Sequence, residues 1–305
     1  MKIKIALCQL NPVAGSPDRN LSTMEKALKK CVRRGVKLCI FPEDFLHGIL
    51  RGENAIEDAG RKFPQWVSTF MDLAKKYNVD LIPGSFPRYE KDKLYNASVY
   101  ISHTGKVLNQ YSKTNLWLSE RVEYQPSLEP PKVFRSPLGK TLLIICWDMY
   151  DHGLFESAVN QGVEWIINIA FWSVNQSHDF VLNRGKPKHK YIGYSDSQII
   201  DSMIQARVSE YNVGMIFCNF AKTHVYAGRR GPDKAVSAGH SQILSPLHKV
   251  KKKINSRDEK ILICDVPDIK PYIKDHEIFY GRREDIRANY PYYLSQTLSS
   301  GAKST

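Results

Sequence analysis

Leu142-Leu-Ile-Ile-Cys146-Trp147-Asp148 is a short apolar run that ends in a thiol and then a carboxylate. The run reads as a β-strand, with its reactive group delivered at the strand end. Two other stretches share that design. Leu38-Cys-Ile-Phe-Pro-Glu43 ends in a carboxylate, and Tyr111-Ser-Lys113-Thr-Asn-Leu-Trp117 places a lysine just beyond a strand at Val107-Leu108. In open α/β sheets, ligand sites gather beyond the carboxyl ends of the strands. Delivered to one such rim, Glu43, Lys113 and Cys146 could make an acyl-transfer site, although the spacing alone does not require it.

Further strands are expected over residues 3–10, 81–86, 97–102, 165–170, 214–219, 239–244 and 260–265. Helices are expected over 20–34, 65–77, 153–161, 197–211 and 283–288; in the first, Leu21, Met24, Leu28 and Val32 recur at helical spacing. Strands separated by helices predict an α/β fold, and the 81–102 stretch adds antiparallel pairing. No repeat or Gly/Ser linker divides the chain, so a single domain is expected. Two segments interrupt the rhythm. Residues 173–194 form a long polar stretch holding Lys186, Lys188 and Lys190, and His248-Lys-Val-Lys-Lys-Lys253 reads as a solvated face or turn.

The 305 residues are 42% hydrophobic and 25% charged, which excludes a disordered chain, a collagen-like fibre or a membrane protein. Forty-four Lys and Arg against 31 Asp and Glu give a net charge of +13. That excess alone would fit nucleic acid, an anionic membrane surface, an acidic substrate or plain solvation. No helix-turn-helix, zinc or RNA-binding signature accompanies it, so no nucleic-acid partner is expected. No stretch approaches the ~20 apolar residues of a membrane span, and no secretory leader is evident. The six cysteines are scattered without metal-type grouping, so no metal is expected and a reducing, cytoplasmic compartment fits.

Taken singly, Cys146 could be a structural thiol, Glu43 a cap and Lys113 a surface cation. Together they form a coherent acyl-transfer set. A thiol of pKa ~8.5 is mostly protonated at neutral pH and gains from an adjacent base such as Glu43. The oxyanion of a tetrahedral intermediate needs donors, which the Lys113 ammonium and the Trp147 backbone N–H could supply.

These motifs resemble the carbon–nitrogen hydrolases of the nitrilase superfamily, amidase/carbamoylase-like branch. Phe41-Pro42-Glu43, Lys113-Thr-Asn-Leu116 and Ile145-Cys146-Trp147-Asp148 are similar to the family's Glu, Lys and Cys motifs. Tyr95-Asn96-Ala97-Ser98, Arg207-Val-Ser-Glu210, Gly239-His-Ser241 and Arg282-Arg283-Glu284 extend the likeness over most of the chain. The resemblance implies a four-layer α-β-β-α sandwich, a domain over 1–295 with a polar tail over 296–305, and a homodimer or higher homo-oligomer. It also implies that Glu43 is the base and acid, Lys113 the oxyanion stabiliser and Cys146 the nucleophile, with no cofactor. A second glutamate follows the family lysine; Glu120 is the expected counterpart, with Glu123 the alternative.

In this resemblance Trp147 after Cys146 is similar to nitrilases, which carry a glutamate next, whereas Asp148 in that position is similar to amidases and carbamoylases. The expected substrate is thus a small amide or carbamoyl compound, with nitrile hydrolysis or acyl transfer as alternatives and nucleic-acid binding as the non-enzymatic one. Trp147, Phe171 and Trp172 are expected to line the pocket, and the lysines of 173–194 raise the expectation of an anionic substrate. Several positions depart from the family pattern. Asn115 replaces a histidine, Tyr211 an asparagine, three extra residues separate Cys146 from Glu156, and 173–194 looks inserted.

Overall fold

Alternate side chains of the first strand, β1 (Lys2–Gln9), enter two different cores. Ile3, Ile5 and Leu7 join Ile145, Ile167 and Phe217, whereas Ala6 and Cys8 pack with Met24, Leu28 and Cys31 of helix α1 (Pro17–Val32). Because a strand's side chains alternate faces, β1 separates a helical layer on one side from a second sheet on the other. The computed structural model describes residues 2–118, 120–174, 196–226 and 234–280.

The chain continues through β2 (Leu38–Ile40), α2 (Glu53–Arg61), α3 (Phe63–Tyr77), β3 (Asp80–Ile82), β4 (Ser85–Glu90), β5 (Lys93–Ile101) and β6 (Val107–Ser112). Next come β7 (Phe134–Ser136), β8 (Gly139–Ile145), α4 (His152–Asn160), β9 (Trp165–Ala170), α5 (Asp196–Tyr211) and β10 (Gly214–Asn219). The last described elements are β11 (Thr223–Val225), β12 (Lys234–Val236), β13 (Gln242–Leu244), β14 (Lys251–Lys253), β15 (Lys260–Pro267) and α6 (Lys270–Tyr280).

In the first sheet β1, β2 and β3 run parallel, β15 closes one edge antiparallel to β1, and β5 pairs antiparallel with β4 and β6. The second sheet has the order β14-β13-β10-β9-β8-β7, with β8, β9 and β10 parallel at its centre. Helices α1 and α3 cover the first sheet; α4 and α5 pack Phe155, Ala158, Ile200, Ile204 and Val208 onto the second. The result is the expected α-β-β-α sandwich. Among the described residues, no helix is long and apolar enough to cross a membrane.

Several elements differ from the sequence reading. The strand expected over 81–86 is broken at Pro83-Gly84, because Gly84 (φ +93) lies so close to Pro42 that a Cβ would fall 2.1 Å from its carbonyl oxygen. The strand expected over 239–244 begins only at Gln242; Gly239 (φ +65) is pressed against the backbone of Ser256. The lysine run is not a turn throughout, since Lys251–Lys253 forms an edge strand antiparallel to β13. Lysines suit an unpaired sheet edge, where charge blocks further strand addition. Helix α2 leaves no periodic signal in the sequence, because Ile56 is its one large, fully buried apolar residue. The helix expected at 283–288, the 282–284 motif and the 295/296 boundary lie outside the described residues.

Two polar side chains fix the loop after β2. Buried Asn20 accepts from the Val13 N–H at 2.8 Å and donates to the Leu46 carbonyl at 2.9 Å. His224 Nε2 accepts from the Ile49 N–H at 3.2 Å while Nδ1 reaches the Pro12 carbonyl at 3.0 Å. Accepting at Nε2 requires the neutral ring, and burial lowers the His224 pKa to about 4. Burial, with help from Lys62, does the same to His47, also to about 4.

In the unfolded chain both rings titrate near about 6.5. Their contribution to stability is therefore complete above that pH and is lost as pH falls towards 4, by about 3 kcal/mol per ring. His224→Gln should be less stable than the parent at neutral pH yet lose stability less steeply between about pH 6.5 and 4.5 in denaturant titrations. An unchanged slope would show that His224 is not held neutral.

Candidate active site

Three strand ends bring the expected residues together. Glu43 follows β2, where the Phe41 N–H still donates to the Ile82 carbonyl at 2.9 Å before Pro42 ends the pairing. Lys113 follows β6, its own N–H donating to the Asn96 carbonyl at 2.9 Å. Its ammonium, on a side chain 1% exposed, donates to Glu43 Oε1 at 2.8 Å and to Glu120 Oε1 and Oε2 at 2.9 and 2.7 Å. Glu120, not Glu123, thus faces Lys113. Glu120 also accepts from the Trp117 N–H at 2.6 Å, and Glu43 Oε2 accepts from the Phe171 N–H at 2.7 Å.

The electrostatics follow from this burial. Desolvation alone would lower the Lys113 pKa, but the Glu120 and Glu43 carboxylates outweigh it and hold the ammonium protonated well above the usual lysine range. Burial raises Glu43, with Glu120 adding to the rise and Lys113 opposing it. Cys146 is raised by burial and by the Glu43 carboxylate, against the pull of Lys113. The resting thiol therefore keeps its proton.

Cys146 opens a short 3-10 helix, Cys146–Tyr150, and adopts φ +49, a left-handed conformation that few non-glycine residues take. Two buried side chains hold it there. Asn168, on β9, accepts from the Cys146 N–H at 2.7 Å and donates to the Cys146 carbonyl at 3.1 Å. Asp148 accepts from the Ile145 N–H at 2.9 Å on one side of the turn. On the other side it accepts from the Asn115 N–H at 2.7 Å, the Thr114 N–H and hydroxyl at 3.2 and 3.0 Å, and the Tyr111 hydroxyl at 2.8 Å. One carboxylate thus ties the cysteine turn to the loop that carries Lys113. Burial raises its pKa to about 6, against Lys113 and these donors. Asn115, in place of the family histidine, adds a bond from Nδ2 to the Trp147 carbonyl at 3.0 Å.

The expected pocket aromatics fall into two groups. Trp147 packs with Tyr150 (4.1 Å between centroids), Trp117 (4.4 Å) and Trp172 (5.5 Å). The Phe171 ring stacks instead on Phe220 at 3.7 Å and meets His224 edge-on. Trp117, Tyr150, Asn96 and Asn168 were not singled out as site residues from sequence. Asn168 carried a signal, as the lone polar residue in Trp165-Ile-Ile-Asn-Ile-Ala170. Lys186, Lys188 and Lys190 lie outside the described residues. Among the described residues no group of three His, Cys, Asp or Glu is placed to hold a metal, and the Lys113 ammonium fills the gap between Glu43 and Glu120.

The Asp148 bonds generate a prediction. In Asp148→Asn an amide would confront N–H donors, leaving at least one buried donor unpaired at a cost of about 3 kcal/mol. Thermal unfolding and steady-state kinetics should show a destabilised protein with kcat/KM reduced on the order of a hundredfold, since both Lys113 and Cys146 lose their shared anchor. Parental stability and rate would contradict the linkage.

Comparison with known proteins agrees with the geometry. Residues 4–274 match the Carbon-nitrogen hydrolase family. Over 293 residues the chain is 26% identical to a probable nitrilase of Schizosaccharomyces pombe, covering 93% of this chain and 96% of that protein. It is 25% identical over 286 residues to an (R)-stereoselective amidase of a Pseudomonas species, covering 92% of each. The fold matches that of a Nesterenkonia amidase mutant with a TM-score of 0.73 at 18% identity, covering 94% of this chain and 96% of that one. The active site cysteine of that amidase carries the acetamide moiety of fluoroacetamide. With the match running through both sheets and all three strand ends, this chain belongs to the carbon–nitrogen hydrolase family.

Proposed function

We propose that the protein hydrolyses an amide or carbamoyl group of a small molecule through a thioester on Cys146. The observation that carries this reading is the ion cluster of Glu43, Lys113 and Glu120, tied through Asp148 to the turn that carries Cys146. In the proposed first step Cys146 Sγ attacks the carbonyl carbon while Glu43 takes the thiol proton. Concerted transfer suits a thiol that burial keeps protonated. Lys113 and the Trp147 N–H receive the oxyanion. The intermediate collapses as Glu43 gives its proton to the departing ammonia or amine. Water, deprotonated by Glu43, then cleaves the thioester and restores Cys146.

The relatives named nitrilase and amidase support carbon–nitrogen hydrolysis in general. The preference for amides rests on Asp148 after Trp147, and the mutually tilted Trp117, Trp147, Tyr150 and Trp172 rings would give the substrate an apolar wall. Six free, buried thiols support a reducing, cytoplasmic setting, and a homodimer or higher homo-oligomer completes the proposal.

Ammonia release from paired amides and nitriles of the same acyl group tests the reading. Amides should be the better substrates, Cys146→Ala should release nothing while keeping its melting temperature, and Glu43→Gln should be slower by at least about a hundredfold. Undiminished turnover by Cys146→Ala, or faster turnover of the nitriles, would contradict it. Lys113→Met should also lose about 3–5 kcal/mol of stability, because it leaves the buried Glu43 and the partly buried Glu120 carboxylates without their cation. Denaturant titration reads that loss, and parental stability would show that the ion cluster does not depend on Lys113.

A further inference from the structure

Asn96 has no role in the mechanism above, yet it touches both carboxylates of the site. It lies on β5, is 1% exposed, and its Nδ2 donates to Glu43 Oε1 at 2.8 Å and to Glu120 Oε1 at 3.0 Å. Both partners accept only, so the amide nitrogen must face them. Its Oδ1 is left buried without a partner. Burying an unpaired acceptor is unfavourable, so the two bonds on the nitrogen side are what hold the amide in this orientation.

The two oxygens of Glu43 are consequently unequal. Oε1 accepts from Lys113 Nζ at 2.8 Å and from Asn96, which occupies both of its lone pairs. Oε2 accepts from the Phe171 N–H at 2.7 Å, and one lone pair is left over. We propose that Asn96 is a positioning residue that anchors Glu43 through Oε1, so that Oε2 is presented to the Cys146 proton. The inference rests on the reading of Glu43 as the base.

The chemistry favours an amide at this position. A second lysine would anchor Glu43 equally well, but its charge would stabilise the carboxylate and weaken it as a base. A neutral donor fixes the geometry and costs less basicity. It also steadies Glu120 on the same ammonium, so the two carboxylates keep a fixed separation despite their repulsion. In the reaction, the proton leaving Cys146 Sγ binds Oε2 as the carbon–sulfur bond forms, and Oε1 keeps both of its donors throughout.

The test follows alkylation of Cys146 by iodoacetamide across pH, read on the Cys146 peptide by mass spectrometry, alongside kcat/KM and the melting temperature. Removing a donor from a carboxylate raises its pKa, so Asn96→Ala should move the acid limb of both profiles up by about one pH unit. At any pH on that limb it should slow alkylation about tenfold. Asn96→Ser keeps one donor in a small side chain and should fall between Asn96→Ala and the parent; it serves equally if Asn96→Ala fails to fold. Glu43→Ala, run in parallel, should erase the acid limb. If Glu43→Ala erases the limb while the Asn96 variants keep the parental limb and lose only melting temperature, Asn96 is structural and the proposal is overturned. If Glu43→Ala leaves the limb in place, the base assignment itself fails and the inference falls with it.

Discussion

A lysine ammonium buried between two carboxylates is the constraint on which the rest of this molecule depends. Lys113 can donate three hydrogen bonds, and Glu43 and both oxygens of Glu120 accept all three. Such a cluster is tolerated inside a protein only when each charge has well-placed partners. Here Asn96 and the Trp117 and Phe171 N–H groups supply the remaining donors. Burial above all, with the Glu43 charge adding to it and Lys113 opposing, pushes the Cys146 thiol up and so favours its protonated form. In the proposed mechanism an oxyanion must take over one of the Lys113 bonds. The two bonds to Glu120 make that exchange possible without leaving either carboxylate unpaired.

The fold's task is to hold such groups in register although they lie far apart in sequence. Glu43 and Lys113 leave strands of the first sheet, and Cys146 leaves β8 in the second. The apolar core between the sheets sets their distance, but direction is set by polar side chains that have none of the reactive chemistry. Asp148 spans from the cysteine turn to the lysine loop, and Asn168 reaches from the neighbouring strand to hold the left-handed turn of Cys146. Asn20 and His224 do the same for the loop beyond Glu43. The identity of Asp148, which favours an amide reading by resemblance, is expressed through backbone position, because its carboxylate is turned away into the protein.

Much of this was legible before the structure, for physical reasons that differ by element. The strands at 165–170 and 214–219 stand as read, because short runs that are apolar but for one asparagine each, and bounded by turns, have one stable use in an α/β protein. That Glu43, Lys113 and Cys146 belong together was legible mainly through the family resemblance, because a reactive group at the end of one apolar run could equally be a structural thiol, a cap or a surface cation. Helix α2 and strand β14 were not legible, since their stability comes from tertiary contact and edge pairing, which leave little local pattern. Asn96 and Asn168 were hidden for a related reason: an asparagine in a strand signals a polar partner but not which one, and their partners lie 53 and 22 residues away. Phe171 was read for its ring, whereas its backbone N–H is the part that faces Glu43.

The most direct measurement is the mass of the protein quenched during turnover of a slowly hydrolysed amide, with the adduct located by peptide sequencing. The account predicts an increment equal to the acyl group, carried on Cys146 and released by hydroxylamine as a thioester should be. Turnover with Cys146 unmodified at every quench time, or an adduct on another residue, would contradict it.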